Sequence, residues 1–259
     1  AGRDDFVTRL VLDDLAARLS TIKRTFTNAL ILAPDASVLP EHGISGDGPF
    51  SYESRGTVLG DIDPEHLALP RAGYDLIVSV LDLQVVNDVP GFLRRVRGHL
   101  APDGLFMAAV LGGATLTELR QAFLAADAEW SGGVYARVAP FIPLGDAGPL
   151  LQRAGFALPV TDIETHVVRY AGTLPLMREI KALGASNPLA DRPGRMMSRG
   201  MLAAAAAAYE RDFADEDGRV RATLEIVWMS GWAPHESQQK PLKPGSAEIS
   251  LTKVLGSGD

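Results

Sequence analysis

The run Tyr74-Asp75-Leu76-Ile77-Val78-Ser79-Val80-Leu81 constrains the fold of this chain more than any other feature. It is apolar, too short for a helix of ordinary length, and bounded by Gly73 and Asp82, so it reads as a strand buried on both faces. Ala29-Leu30-Ile31-Leu32 and Leu105 to Leu111 are two further runs of this kind, stopped by Ala33-Pro34-Asp35 and by Gly112-Gly113. Between and after them lie helical patterns. Gly91 to Leu100 is entered at Pro90 and left before Pro102-Asp103-Gly104, and Thr115 to Glu129 carries an early acid at Glu118. Apolar strands alternating with helices predict an α/β fold: a mostly parallel sheet with helices on both faces. In such a sheet a ligand sits beyond the carboxyl ends of the strands, where the strand order reverses. The residues just after Leu32, Leu59, Leu81 and Leu111 are therefore the first place to seek a site.

The remaining pattern fills in around this frame. Residues 4–26 space Phe6, Leu10, Leu15, Leu19 and Ile22 as one helix face, with Asp4 or Asp5 as its cap. Gly148 to Arg153 reads as a short helix closed by Gly155, and Val160 to Tyr170 as a strand. Met196 to Phe213, with its alanine run, is helical by propensity, and Arg221 to Met229 is a last strand. Pro49 to Glu53 and Thr57 to Leu59 are weaker strand patterns. Were residues 50–54 and 57–61 both parallel strands, two residues would join them, whereas a parallel crossover needs about a dozen. Either one strand is missing or the pair is an antiparallel hairpin. The amino-terminal half is thus predicted to be shortened.

Composition excludes several function classes. The chain has 259 residues, 46% hydrophobic and 22% charged, enough to bury a large core. Its net charge of −7 disfavours general nucleic-acid binding. The absence of cysteine removes disulfides, thiolate metal sites and cysteine nucleophiles. No apolar run approaches the roughly 20 residues of a transmembrane helix, and nothing in the first thirty residues reads as a signal peptide.

The chemistry-bearing residues each carry two readings. Ala33 and Asp35 follow the first strand, where a glycine-rich cradle would be expected; with no glycine before Gly43, Asp35 or Ser37 could instead cap a short helix. Asp61 and Asp63 could accept hydrogen bonds from a ribose or an adenine, or simply build the Asp-Ile-Asp-Pro turn. Leu81, Asp82 and Gln84 leave the best strand and either line a cleft or serve structure. His235-Glu236-Ser237 invites a hydrolase reading, yet adjacent side chains cannot form a triad, so a packed loop is the competing reading. The histidines His42, His66, His99, His166 and His235 have no metal-binding spacing, so no metal is expected. Arg94, Arg95, Arg97 and His99 share one helix, as a solvated face or a partner or membrane surface.

Several stretches also carry a resemblance. Tyr74 to Ser79 with Leu81 to Pro90, and Leu100-Ala101-Pro102-Asp103-Gly104-Leu105-Phe106, resemble the fourth strand, its turn and the next junction of class I S-adenosylmethionine-dependent methyltransferases. More specific are Gly112-Gly113-Ala114-Thr115-Leu116-Thr117-Glu118-Leu119-Arg120, Pro140-Phe141, Asp146 to Phe156, Met201 to Ala205, and Gly231-Trp232-Ala233-Pro234-His235-Glu236-Ser237-Gln238. Together these are similar to the mitochondrial complex I assembly factor 5 family and its alphaproteobacterial relatives, with the biotin-pathway malonyl carrier-protein methyltransferase a more distant cousin.

The resemblance, covering roughly residues 1–250, implies a seven-stranded Rossmann-like sheet in one methyltransferase-like domain, with a helical insertion near 172–215. It maps the acidic residue of the adenine pocket onto Asp61 or Asp63, the spacing to Asp75 favouring Asp63. It also implies S-adenosyl-L-methionine as the cofactor to test, with Ala33, Asp35, Asp61, Asp63 and Leu81 as the residues to bind it. Two departures stand against this: Ala33 to Ser37 replaces the family's glycine-rich loop, and Leu83-Gln84-Val85 replaces its Leu-His-Trp.

Three functions follow as expectations. The first is a methyltransferase-fold protein with a degraded cofactor site that acts on or holds a protein partner, such as a respiratory complex I subunit. The second is a working methyltransferase, with Gln84, Glu118 and His235 as the candidate catalytic residues nearest the acceptor. The third is arginine hydroxylation, the activity with which the mitochondrial family member is credited. A bacterial member would be cytoplasmic, and a eukaryotic one would lie in the mitochondrial matrix.

Overall fold

The computed structural model describes residues 5–58, 62–69, 71–130, 132–183, 185–190, 192 and 197–239. Helix α1 (Phe6–Ser20) opens the chain; Asp5 caps it, accepting from Thr8 N at 3.0 Å. The helix is shorter than the predicted 4–26. Thr21 closes it with its hydroxyl on the Arg18 carbonyl, and Phe26 leaves the helical face to pack edge-on against Phe50. Strand β1 (Ala29–Ala33) is buried throughout.

A small antiparallel hairpin follows, β2 (Gly43–Ser45) with β3 (Gly48–Phe50), and then β4 (Tyr52–Gly56). The weak pattern at 49–53 thus resolves into the hairpin's end and a separate strand. Thr57 and Val58 form no strand, and Leu59 lies outside the described residues. Strand β5 (Tyr74–Val80) leads to α2 (Val89–His99) and β6 (Leu100–Leu111). Helices α3 (Thr117–Trp130) and α4 (Leu144–Ala154) precede β7 (Ala157–Tyr170). Gly155 ends α4 in the left-handed region at φ 85°, where glycine carries no Cβ penalty. Helices α5 (Thr173–Ala182) and α6 (Arg199–Phe213) come before β8 (Val220–Trp232).

The main sheet has six strands in the order β4-β1-β5-β6-β8-β7. The resemblance led us to expect seven; among the described residues, none stands between β4 and β5. Between β1 and β5 the chain makes two parallel crossovers, out to β4 and back to β5, and a seventh strand would have required a third. Strands β4, β1, β5 and β6 are parallel, β8 is antiparallel to β6, and β7 is antiparallel to β8. Helices α2 and α4 cover one face through Phe92, Leu93, Val96 and Leu151, while α1 covers the other through Val11, Leu15 and Leu19. A third cluster binds α3, α5 and α6 to β8 through Phe123, Leu176, Met201 and Tyr209.

Two consequences of the order set the function. The chain steps from β1 to one side and later returns to the other side with β5, so the order reverses between β1 and β5. Because β8 runs backwards, its start lies at the carboxyl edge of the sheet and its end at the amino edge, with Trp232 opposite Leu105.

Candidate functional site

A cavity of about 610 Å³ opens at the carboxyl edge, where the strand order reverses. Its floor is the chain just beyond three strands: Ala33 and Pro34 after β1, Leu81 after β5, and Leu111 at the end of β6. One wall is the start of β8 with Val168 and Tyr170 of β7, and Leu176, Glu179 and Ile180 of α5 lie over it. The first turn of α1 closes another side with Phe6 and Thr8. The lining is mostly apolar. Among the described lining residues there is no lysine, arginine or histidine, while Asp5, Asp35 and Glu179 supply carboxylates. A second cavity of about 190 Å³ lies alongside, and Gln84 and Leu111 border both.

The turn after β1 decides what the large cavity can grip. Pro34 has no N–H, and no glycine allows close approach of a ligand. The Ala33 carbonyl takes the Thr57 N–H at 2.9 Å, and the Pro34 carbonyl takes that of Val58 at 3.2 Å. Asp35 turns its carboxylate onto Ser37 N at 2.9 Å, capping a single 3-10 turn (Ala36–Val38); the Ser37 hydroxyl and then this N–H hold its pKa below the usual carboxylate value. No α-helix follows β1 before β5 among the described residues, so no long helix N-terminus points its amides into the cavity. The turn thus has neither the glycines nor, among the described residues, the following α-helix with which the first turn of a dinucleotide-type sheet approaches its cofactor.

Behind the floor lies Asp82, fully buried. One of its carboxyl oxygens makes a very short contact with Thr57 Oγ1, and the other lies 3.2 Å from Ser79 Oγ. Burial outweighs both hydroxyls and pushes its pKa up to about 7. Leu81, immediately before it, has φ 58°, a left-handed conformation that costs a non-glycine residue about 1–2 kcal/mol. The Gln84 amide donates back to the Leu81 carbonyl, which leaves its own Oε1 buried without a partner among the described residues.

The structure brings Ala33, Asp35, Leu81 and Gln84 together at one cavity, and it scatters the rest. Glu118, on the first turn of α3, is half of a strut: it accepts from Thr223 N at 3.0 Å and from the Thr223 hydroxyl, pinning α3 to β8. His235 is at the opposite edge of the sheet, because β8 delivers it to the amino ends of β5 and β6. There its Nδ1 lies 2.7 Å from Ser237 Oγ, and Gln238 bridges Asp103 Oδ1 and the Ala233 carbonyl at 2.8 Å each. His235 therefore cannot stand beside an acceptor in the cavity. Asp63 is exposed and caps a turn, accepting from Glu65 N at 2.9 Å with His66 Nδ1 at 2.6 Å; Asp61 lies outside the described residues.

Three residues near the cavity were not anticipated: Thr57, Tyr170 and Glu179. Burial and the neighbouring Glu179 carboxylate push the Tyr170 phenol up to about 12, so it stays protonated and can donate. No group of three or more metal-ligating side chains is found among the described residues.

No protein-family profile matches the chain. It is 36% identical over 270 residues to the mitochondrial arginine-hydroxylase NDUFAF5 of Danio rerio, a match that covers 98% of this chain and 83% of that one. The Homo sapiens protein of the same name is 40% identical over 192 residues, or 74% of this chain and 55% of its own length. The chain thus spans little more than half the length of the mammalian relatives it matches, 55–57%. A malonyl-[acyl-carrier protein] O-methyltransferase of Laribacter hongkongensis is 38% identical over 192 residues, covering 74% of this chain and 62% of the enzyme. Among solved structures, the YcgJ protein of Bacillus subtilis superposes with a TM-score of 0.49 at 13% identity, over 88% of this chain and 99% of that one. The similarity to the zebrafish protein over most of both lengths identifies this methyltransferase-like α/β chain as a member of the NDUFAF5 family.

Proposed function

We propose that this protein has given up its adenosyl cofactor and works by holding, or acting on, a protein partner, with a respiratory complex I subunit as the candidate. The observation that carries this reading is the link from β1 to β4, where a proline-containing turn and a three-residue 3-10 helix stand in place of a glycine loop and an α-helix. A nucleoside gripped there would lack the amides and the helix N-terminus that hold such ligands. The mitochondrial members of the family are named for hydroxylating arginine, which supports a methyltransferase fold turned to other work. The site is proposed for the cytoplasm in a bacterium and for the mitochondrial matrix in a eukaryote. Isothermal titration with S-adenosylmethionine tests the reading. We expect no binding in the micromolar range; a micromolar Kd would overturn it and restore the alternative of a working methyltransferase, with Gln84 as the candidate acceptor-side group.

One observation favours a second reading. The cavity carries three carboxylates and no basic side chain among its described lining residues, so an arginine of the partner fits its charge. Oxygen chemistry on that arginine would need a redox-active metal, flavin or similar group to be supplied. Mass spectrometry of the partner's arginines, from cells with and without this protein, decides it: an added oxygen that depends on the protein supports hydroxylation, and unmodified arginine in both rejects it.

A further inference from the structure

We propose that Asp82 is a positioning residue for the cavity: when protonated it closes a hydrogen-bond chain, Asp82 to Thr57 to the Ala33 carbonyl, that ties the turn after β5 to the turn after β1. The geometry provides a place for a proton there. Thr57 Oγ1 lies within reach of two acceptors, the Ala33 carbonyl at 3.3 Å and an Asp82 carboxyl oxygen. A hydroxyl has one proton to give and two lone pairs with which to accept. If Thr57 donates to Ala33, its contact with Asp82 must be donated by Asp82, and a carboxylic acid can do this where a carboxylate cannot. Ser79 then donates to the other carboxyl oxygen, and every group in the chain is satisfied.

Ionisation breaks this order. Thr57 would turn its proton to the carboxylate, and the Ala33 carbonyl would keep only the Thr57 N–H. Both ends of the chain touch the cavity, since Ala33 and Leu81 line its floor and Gln84 hangs on the Leu81 carbonyl. Burial favours the protonated form near neutral pH.

The charged groups on the surrounding elements are few. The turn after β1 brings Asp35, which is bound to Ser37. Strand β4 brings Arg55, which is paired with Glu53. Across the cavity stand Glu179 on α5 and Asp5 before α1. Strands β5 and β6 carry their acids, Asp75 and Asp103, at the far edge, where these bind Thr27, Asn28, Arg24 and Gln238. The partners of the Asp82 carboxyl among the described residues are the two hydroxyls.

Two-dimensional NMR of the whole chain tests the proposal through a pH series from about 5.5 to 8.5, spanning the neutral range in which the acid is expected to ionise. The backbone amides of Ala33, Asp35, Leu81 and Gln84 should shift with one midpoint near neutrality. In Asp82→Asn these shifts should vanish, because the amide still donates to Thr57 but cannot titrate. In Thr57→Val the amides of Leu81 and Gln84 should still follow pH, while those of Ala33 and Asp35 should not. The same midpoint surviving in Asp82→Asn would overturn the proposal, as would Ala33 following pH in Thr57→Val. Should a variant fail to fold, carbon-detected NMR of the wild-type Asp82 carboxyl still decides: a carboxyl already ionised at the acid end of the series overturns it.

Discussion

Two aspartates have no exposed surface among the described residues, and the chain treats them in opposite ways. Asp127, near the end of α3, receives two parallel bonds from Arg137, at 2.6 and 2.8 Å. Asp82, behind the cavity floor, has two hydroxyls beside it and, among the described residues, no cation. Burying a charge without an ionic partner is costly, and the cost is met by neutralising the group. One acid is a fastener, clasped by a guanidinium. The other is kept near the boundary between charged and neutral, at the place where the strand order reverses. A buried acid without its cation is therefore the more telling mark of a site in this molecule.

Asp127→Ala should give the largest effect. It leaves the Arg137 guanidinium, itself only 10% exposed, without its carboxylate. Breaking a buried pair from one side costs roughly 3–5 kcal/mol, which urea unfolding would read directly. A loss below about 1 kcal/mol would mean that Arg137 escapes to water, and the contrast with Asp82 would fail.

Asp82→Asn should move stability the other way, by up to about 4 kcal/mol at pH 8, taking 1.36 kcal/mol for each pK unit between 3.8 and about 7. Well below pH 4 the acid is protonated in both folded and unfolded chains, so it imposes no penalty. As pH rises the unfolded chain ionises first, and the folded state loses ground until its own acid ionises near 7. The wild type should thus lose stability between about pH 4 and 7, and the variant should lack that component of the decline. Urea midpoints measured across this range would show the two curves diverging with pH. Parallel curves would place the ionisable group elsewhere.

Glu118→Gln tests a smaller strut. One amide oxygen must replace two carboxylate oxygens on Thr223, at a cost of about 1–2 kcal/mol. Thermal melting at neutral pH should show the loss. If the protein proves to have an activity, a kcat that falls far more than stability does would return Glu118 to the catalytic candidates.

The parts of the fold legible in the sequence were those that local pattern encodes. The runs of β1, β5 and β6 are apolar because both their faces are covered, and a run of that kind announces itself. The shortness of the segment before Asp61 already implied either a missing strand or an antiparallel hairpin, since chain length limits crossovers. The β2–β3 hairpin was marked by Gly46-Asp47-Gly48 but passed over, because its strands are too short to show alternation. The site was less legible. Its floor could be placed from strand ends alone, but Tyr170 and Glu179 reach the cavity only because β8 runs backwards and carries β7 beside it. Nothing local in either segment states that direction. Asp82 was visible as a cavity candidate, yet the left-handed turn at Leu81 sinks it behind the floor.

The same reversal of β8 explains why the most distinctive motif misleads. Gly231 to Gln238 is delivered to the amino edge, where Arg24 pairs with Asp103 at 3.1 Å and stacks over Trp232, and Gln238 binds the other oxygen of Asp103. Within that motif the residue that looks catalytic should matter least. His235 is exposed, and its ring contacts a neighbouring serine. His235→Ala should change stability by less than about 0.5 kcal/mol, as exposed substitutions usually do. Gln238→Ala should cost about 1 kcal/mol, because it removes two hydrogen bonds, one to the Ala233 carbonyl and one that fastens the chain after β8 to Asp103 of β6. Chemical unfolding of the pair would rank them. If His235 proved the costlier loss, or if its removal altered a function assigned to the cavity, the amino edge would have to be counted as part of the site rather than as the clasp that holds the sheet's other end open.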